Sequence, residues 1–411
     1  MTDEDVVVTG VGAITPLGRD AESTWEGLIT GRSGVRRIDH LLAGYTHHIP
    51  MPVRIGAPMA VDPGTLLGED EAARFDPVQR AAVVAAREAW ADAGAPDVEP
   101  TRLAVVVGTA MGGVQTSLGQ HDLLREQGAE ALLRLGTAMA MPAGPAAAVS
   151  IAFGARAGTY APASACAAGA EAVVTAARLI RSGEADVVIA GGADTPITPV
   201  VVASFARIGV LSLRHDDPES ASRPFGRERD GFVVGEGAGM LVLERSSTAR
   251  ARRARPLARL AGAAITSDGF HFLKPDPSGA GQQRAMRGAL DRAGLQPSDV
   301  SYVNCHATAT TVGDREEALS VRAVFGEGTT VTAIKGGTGH LIGGAGGLAC
   351  AVTVMSIARS TVPPTRLSGP ADDEVALDVV TGEPRRGALS AVLCNAFGFG
   401  GYNASIAFTA C

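Results

Sequence analysis

Cys166 sits between a turn-like stretch, Ala163-Ser164-Ala165, and a small-residue run, Ala167-Ala168-Gly169-Ala170, that reads as the first turn of a helix. A sulfur placed there meets unpaired backbone N–H groups and the positive end of the helix dipole, an environment that favours thiolate. The shift matters because an ordinary thiol titrates at about 8.5, whereas a nucleophile must work near neutrality. The small neighbours also leave room for a substrate carbonyl. The competing reading is a buried structural cysteine, the commoner fate of this residue; Cys305, Cys350, Cys394 and Cys411 are read that way.

Three further segments carry polar chemistry. An apolar strand, Tyr302-Val303-Asn304, opens into His306 and a hydroxyl-rich loop, where Thr308 and Thr310 can present two hydroxyls to one acidic group. The carboxyl end of a strand is where open α/β sheets place ligands; a lone histidine there is otherwise a satisfied core residue. Residues 334–347 read strand, glycine loop, helix, with Lys335 and His340 at opposite ends of the loop. Glycine turns ahead of helices cradle phosphates, but here the lysine precedes the glycines and no Gly-Lys-Ser/Thr follows. A histidine near a helix N-terminus is disfavoured as imidazolium, so His340 is expected to be neutral and to donate one hydrogen bond, as an electrophile does. Last, Phe397-Gly398-Phe399-Gly400-Gly401 follows a strand and can expose N–H groups; it serves as an oxyanion hole, a gate or merely a glycine turn.

Positioning these groups falls to the elements around them. Apolar, β-branched runs of strand length occur at 6–9, 104–108, 187–190, 240–244, 331–334, 391–394 and 404–408, and Ala-rich helical stretches at 77–93, 170–181 and 282–293. This alternation predicts α/β layers around a buried, mostly parallel sheet. The chain also echoes itself across an Arg-rich stretch at 250–255. Cys166 and a helix running to Arg181-Ser182 precede it; His340 and a helix running to Arg359-Ser360 follow it. Duplicated halves and shared Ala/Gly composition both account for the echo.

With 46% hydrophobic and 19% charged residues, the 411-residue chain has material for a thick core, which excludes a disordered chain or a disulfide-stapled miniprotein. A net charge of −7 without a long basic run argues against nucleic acid as a partner. Five cysteines without a Cys-x-x-Cys pair read as reduced thiols, and the acidic start lacks the basic region of a signal peptide, so a cytoplasmic protein is expected. Two uncharged stretches, 135–155 and 341–358, are read as buried and not as membrane spans, because prolines interrupt the first and glycines lead the second. Only Lys274 and Lys335 among the 36 basic residues are lysine. His40, His47, His48, His121 and His215 have no neighbours at metal-ligand spacing and read as surface or loop residues.

Taken together, the segments resemble the β-ketoacyl-acyl carrier protein synthases of the elongating, decarboxylating type, members of the thiolase superfamily. The likeness runs from residues 6–18 through the Cys166 segment, Arg223-Pro224-Phe225, residues 229–239 and the His306 and Lys335–His340 segments to the closing glycine loop. It implies a thiolase-like α/β fold of two duplicated βαβαβαββ halves, 1–254 with the nucleophilic cysteine and 255–411 with the two histidines and the lysine. The halves would stack as five layers, αβαβα, normally in a dimer. The resemblance implies that Cys166 accepts an acyl chain from a carrier-protein or coenzyme A thioester. His306 and His340 would hydrogen-bond the malonyl thioester oxygen as carbon dioxide leaves, and the N–H groups of Cys166 and Phe399 would hold the tetrahedral oxyanion. Lys335 would pair with Glu317, Thr308 and Thr310 would meet the pantetheine arm, Phe399 would gate, and Met111, Phe205 and Tyr402 would border the substrate. No metal or other cofactor is implied. Decarboxylation builds charge on the thioester oxygen, so two neutral donors help more in the transition state than in the ground state. His340 separates the chain from initiating synthases and chalcone-type enzymes, which carry Asn there, and from thiolases, which use a second Cys.

Ala307, Thr311, Gly336-Gly337 and Tyr402 depart from the family pattern and are expected at the entrance, with Tyr402 narrowing the acyl or pantetheine path. His271 falls in a segment that approaches the acyl entrance in the family. The expected partners are acyl carrier protein in its acyl and malonyl forms and a second subunit, either a copy or a chain-length-factor-like paralogue. The alternative function is that noncatalytic chain-length factor itself, which commonly lacks the cysteine. Fatty-acid and discrete type II polyketide elongation both suit the sequence.

Overall fold

A computed structural model describes residues 2–42 and 51–411; His47 and His48 lie outside the described residues. The first half runs β1 (Val6–Ile14), α1 (Pro77–Asp92), β2 (Leu103–Gly108), α2 (Gly144–Phe153), β3 (Gly158–Tyr160), α3 (Ala168–Arg181), β4 (Val187–Asp194) and β5 (Gly237–Arg245). The second runs β6 (Ala258–Ser267), α4 (Ala280–Ala293), β7 (Tyr302–Asn304), α5 (Thr311–Phe325), β8 (Thr330–Thr332), α6 (Gly344–Arg359), β9 (Ala391–Gly398) and β10 (Tyr402–Thr409). Both halves place their strands in one spatial order: first, fifth, fourth, second, third. The senses match too. The second strand is parallel to the third and fourth, and the fifth is antiparallel to the fourth and first. The echo in the sequence is therefore a repeat of topology, and it reaches single glycines. A β-carbon on Gly10 would lie 2.5 Å from the Ala93 nitrogen, and one on Gly262 would lie 2.6 Å from the Ala293 nitrogen. In each half the first strand needs glycine to admit the end of the first helix.

Strand residues alternate between two faces, and the alternation builds the layers. Ala104, Val106, Val188 and Leu241 pack with Val392, Ile406 and Phe408 and with α3 and α6 between the two sheets. On the opposite faces, Val105, Ile189 and Val242 meet α1 and α2, while Val303 and Leu393 meet α4 and α5. Five layers, αβαβα, result. The central helix α6 is buried at every position from Gly344 to Ile357, which is why its sequence is apolar all round. The outer α1 begins where Asp76 accepts the Val78 N–H and Gln79 reaches back to it, with Pro77 in the first helical position. Among the described residues, the two halves of the sheet join through Val6, Val7 and Val8 on β1, paired with Leu260, Arg259 and Ala258 on β6.

Three expectations change. Among the described residues, five of the ten ladders in the eleven-stranded sheet are antiparallel, so it is mixed and not mostly parallel. The returns β4 to β5 and β9 to β10 carry no helix of the layers between them, and strands joined without a crossover helix pair antiparallel. The strand expected at 331–334 stops at Thr332. There the Ala333 N–H bonds Thr365 Oγ1 at 2.9 Å, and Ile334 opens a one-turn helix, Lys335–Thr338. Residues 341–358 are largely buried, but the stretch 135–155 is two short helices that leave Leu135, Met141 and Ile151 exposed, Ile151 by 78%. No helix among the described residues is long and apolar enough to cross a membrane.

Candidate active site

Close approach of α3 and α6 brings the loops of the two halves together. The Gly169 N–H donates to the Gly343 carbonyl at 3.1 Å, and a β-carbon on Gly169 would lie 2.5 Å from the Gly347 nitrogen. The glycines after His340 thus serve helix packing. Cys166, in the tight turn Ala165–Ala167 ahead of α3, arrives beside His340 ahead of α6. Ala165, next to the sulfur-bearing residue, has φ of +50°, a costly conformation for a residue with a β-carbon. His306 comes from the carboxyl end of β7. One donor atom from each of Cys166, His306 and His340 lies within 4.8 Å of the other two, and the imidazole centroids are 5.4 Å apart at 84°.

His340 is held by its main chain, which bonds Val233 and Gly235 at 2.8 Å each, and by the Phe232 ring set edge-on at 5.3 Å. Yet neither buried ring nitrogen has a hydrogen-bond partner among the described residues. Native proteins seldom leave buried polar atoms so, and two such atoms in the wall of a cavity mark a place for a ligand. Burial first, then the Lys335 charge, holds His340 well below the ordinary 6.5; His306 is lowered in the same way, with His340 adding to the effect. Both rings are neutral at physiological pH, and each has one N–H to donate.

Lys335 and Glu317 meet at the His306 peptide and not in a direct ion pair. Lys335 Nζ donates to the His306 carbonyl, and the Glu317 carboxylate accepts the N–H groups of His306 at 2.8 Å and Ala307 at 2.6 Å. Burial lowers Lys335 against the pull of Glu317, and burial raises Glu317 against the pull of those N–H groups. Together they fix the backbone from which the His306 ring projects. The lysine charge beside the cluster also disfavours a dication among the three donor atoms, whose only potential anion is the sulfur.

Cys166 departs from the thiolate expected at a helix start. It is only 8% exposed and packs in an apolar cluster with Phe205, Phe232 and Ile342. Burial pushes its thiol up to about 11, against the Lys335 charge and then the Phe399 N–H. Desolvation of a charged sulfur outweighs the Lys335 charge and the backbone N–H groups that favour it. The resting protein holds a thiol, and its proton must move as the substrate thioester arrives.

A cavity of about 510 Å³ has Cys166, His306, His340, Thr308, Thr310, Phe205 and Phe399 in its wall and His271 and Lys274 at its mouth. The Thr308 and Thr310 hydroxyls are 3.2 Å apart, and Thr310 also caps α5 by accepting the Gly313 N–H. Gly398 lies directly on the nucleophile turn: a β-carbon there would be 2.8 Å from the Ser164 carbonyl and 3.1 Å from the Cys166 nitrogen. Met111 packs on the apolar cluster around Cys166 outside the cavity wall. Tyr402 does not border the cavity. It is 42% exposed, and its ring covers Gly400, 2.9 Å from where a β-carbon would stand, so it touches the glycine loop from the solvent side. Ala307 and Thr311 do line the cavity, whereas Gly336 is buried where a β-carbon would collide with the Arg366 carbonyl.

Two buried carboxylates that brace the site's loops were missed in the sequence. Asp194, the last residue of β4, accepts the Thr109 hydroxyl at 2.6 Å and the N–H groups of Ala110, Met111 and Gly343 at 2.9, 3.1 and 2.7 Å. It ties the Met111 loop to the start of α6, and burial pushes its carboxyl up to about 6. Asp314 accepts the N–H groups of Ala309 at 3.0 Å and Phe225 at 2.8 Å, and burial pushes it up to about 7. Signals existed for both. Asp194 closes an apolar strand with an acid, as Glu244 also does, and Asp314 stands three residues before Glu317, on the same inner face of α5.

Models of the β-ketoacyl synthase family match the chain twice: the N-terminal domain over residues 3–249 and the C-terminal domain over residues 257–367. The chain belongs to the β-ketoacyl synthase family. It is 42% identical to the 3-oxoacyl-[acyl-carrier-protein] synthase 2 of Mycobacterium tuberculosis over 98% of this chain and 96% of that one. With the enzyme of the same name from Staphylococcus aureus it shares 37% over 98% and 97%. Among solved structures, a β-ketoacyl synthase from Burkholderia phymatum superposes with a TM-score of 0.90 at 32% identity, covering 99% of both chains. A type II polyketide ketosynthase, solved with its acyl-carrier protein and bound to the hexaketide, superposes equally well at 27% identity, again over 99% of both. The five-layered arrangement of this β-ketoacyl synthase is the thiolase-like fold.

Proposed function

We propose that this β-ketoacyl synthase lengthens acyl thioesters by two carbons in a decarboxylative Claisen condensation. One observation carries the reading: a buried thiol and two neutral imidazoles, one with both ring nitrogens open, converge within 4.8 Å in one cavity. In the first half-reaction, Cys166 Sγ bonds to the acyl carbonyl carbon, the carrier sulfur leaves, and the thiol proton ends on that departing sulfur. Malonyl-carrier protein then enters. Its carbon–carboxylate bond breaks, carbon dioxide departs, and the electron pair moves into an enolate whose oxygen accepts hydrogen bonds from His306 and His340. The enolate carbon attacks the acyl-Cys166 carbonyl, the N–H groups of Cys166 and Phe399 hold the oxyanion, and collapse breaks the carbon–sulfur bond to release the β-ketoacyl product and a Cys166 thiolate, which takes one proton from solvent to restore the thiol. Removing one such donor costs about 10²–10³ in rate. Thr308 and Thr310 would hydrogen-bond the pantetheine arm, Lys335 and Glu317 would position His306, and Phe205 and Met111 would bound the acyl chain.

Cys166 beside both histidines favours a catalyst over a noncatalytic chain-length factor. Identities of 37–42% with relatives named 3-oxoacyl-[acyl-carrier-protein] synthase 2, against 27% with the polyketide ketosynthase, favour fatty-acid-type chains. A dimer is supported by the exposed apolar side chains Leu124, Leu133, Leu135, Met141 and Ile151 in the segments between β2 and β3, and by Tyr160 on the edge strand β3 itself. The repeated strand order supports division into halves at 254/255, and five free thiols support a cytoplasmic setting. Incubation with hexanoyl- and then malonyl-carrier protein should give 3-oxooctanoyl-carrier protein; absence of any product two carbons longer would overturn the reading. Expression of the chain alone should give a soluble dimer if the partner is a second copy, and aggregates if it is a paralogue.

A further inference from the structure

We infer that Arg229, with Asp372 behind it, is a positioning residue that sets the Thr308 and Thr310 hydroxyls for the amides of the thioester arm; the inference rests on the condensing reading above. The Arg229 side chain is only 5% exposed and lies outside the cavity wall, so it does not touch substrate itself. Its guanidinium instead grips the backbone that presents the hydroxyls. Nε donates to the Thr310 carbonyl at 3.3 Å and Nη2 to the Thr311 carbonyl at 3.2 Å. Nη1 donates to the Gly226 carbonyl at 3.0 Å and to the Asp372 carboxylate at 2.5 Å. Thr310 and Thr311 are the cap and the first residue of α5. A cation beside a helix N-terminus opposes the helix dipole, so helix stability alone does not account for an arginine there. A planar fork spans two successive carbonyls and keeps a donor for a carboxylate, which a lysine cannot do.

The rest of the hydroxyl loop is pinned from the same segment. The Gly231 N–H donates to the Ala309 carbonyl at 3.0 Å, and Asp314 accepts the Ala309 N–H at 3.0 Å and the Phe225 N–H at 2.8 Å. Ala309, between the two threonines, has φ of +68°, a costly conformation that persists where neighbours over-determine it. The Phe225 N–H and then the Arg229 charge also work against the burial that raises Asp314. Further along the segment, Val233 and Gly235 bond the His340 main chain. One stretch of backbone thus references the hydroxyls to an imidazole, while Lys335 and Glu317 hold the His306 end of the same loop. The two anchors divide the work: the lysine and glutamate serve the chemistry, and Arg229 and Asp372 serve binding of the arm.

The test compares Cys166 acylation by hexanoyl-pantetheine and by the amide-free S-ethyl thiohexanoate, followed by intact mass. The proteins are the wild type, Arg229→Gln, Asp372→Asn, the double variant Thr308→Val with Thr310→Val, and that double variant combined with Arg229→Gln. Both substrates are read on one sample, so any lost folded protein cancels from the ratio of their kcat/KM values. Arg229→Gln should lower the ratio of the pantetheine over the ethyl substrate about tenfold, through KM for the pantetheine substrate and not through kcat. Asp372→Asn keeps the guanidinium and should lower it about threefold, a smaller step that remains readable if Arg229→Gln does not fold. Where both threonines are valine, Arg229→Gln should change the ratio by less than about twofold, because the hydroxyls it positions are gone. A ratio unchanged in both single variants, a fall in kcat with KM unchanged, or an undiminished loss without the hydroxyls would overturn the assignment. Acylation of wild-type Cys166 by either substrate tests the condensing reading separately.

Discussion

The turns that precede α3 and α6 are built alike and carry opposite contents. Each contains a residue with a β-carbon at φ of +50°, Ala165 in the first half and Ile342 in the second. The next residue is Cys166 in one case and Gly343 in the other. Each turn is also closed by the end of the fourth strand from one half. Asp194, at the end of β4, accepts the Gly343 N–H, and Gly398, at the end of β9, lies on the Cys166 nitrogen. A carboxylate therefore plugs the turn without a side chain, while a bare glycine leaves open the turn that holds sulfur. Duplication supplied two equivalent pockets of backbone N–H groups, and the side chains decide which of them meets substrate.

Substitutions at the two turns should break this comparison most visibly. A β-carbon on Gly343 would stand 2.5 Å from both the Ala110 nitrogen and Asp194 Oδ2. Gly343→Ala should therefore cost about 1–3 kcal/mol of stability, read as a lowered Tm. Gly398→Ala presses on the nucleophile turn instead and should slow Cys166 acylation more than it lowers Tm; equal melting losses with unimpaired acylation would refute the contrast. Asp194→Asn keeps the shape but turns an amide NH₂ toward N–H donors. It should cost about 1–2 kcal/mol in denaturant unfolding.

The smallest effect concerns the thiol. With Cys166 pushed up to about 11, only roughly one sulfur in 10³ is ionised at pH 8. Iodoacetamide labelling of Cys166 should rise about tenfold per pH unit from 7 to 9 without a plateau. Lys335 favours the thiolate, so Lys335→Met should raise the thiol further and slow labelling several-fold at any fixed pH in that range.

Much of this arrangement was legible beforehand. Strand runs, Ala-rich helices and the segments bearing Cys166, His306, Lys335 and His340 are local patterns, and local patterns survive folding. What stayed hidden depends on distant neighbours. The thiol's direction follows from Phe205, Phe232 and Ile342, which no reading of the helix start reveals. The glycines after His340 resemble a ligand loop until α3 is seen against them. Asp194 offers no more than an acid at a strand end, because its four donors come from two separate loops. Tyr402 looked like an obstruction beside Gly400-Gly401, but alternation along β10 turns it to solvent.

The most direct test of the convergence of sulfur and imidazoles is intact mass spectrometry of the wild type, His340→Asn and Cys166→Ser. Each would be loaded with hexanoyl-carrier protein and then given malonyl-carrier protein. The account predicts an acyl adduct on Cys166 in the first two proteins, discharged promptly only in the wild type and at least about a hundredfold more slowly in His340→Asn. It also predicts neither adduct nor product in Cys166→Ser. Discharge of the His340→Asn adduct at the wild-type rate, or undiminished condensation by Cys166→Ser, would contradict it.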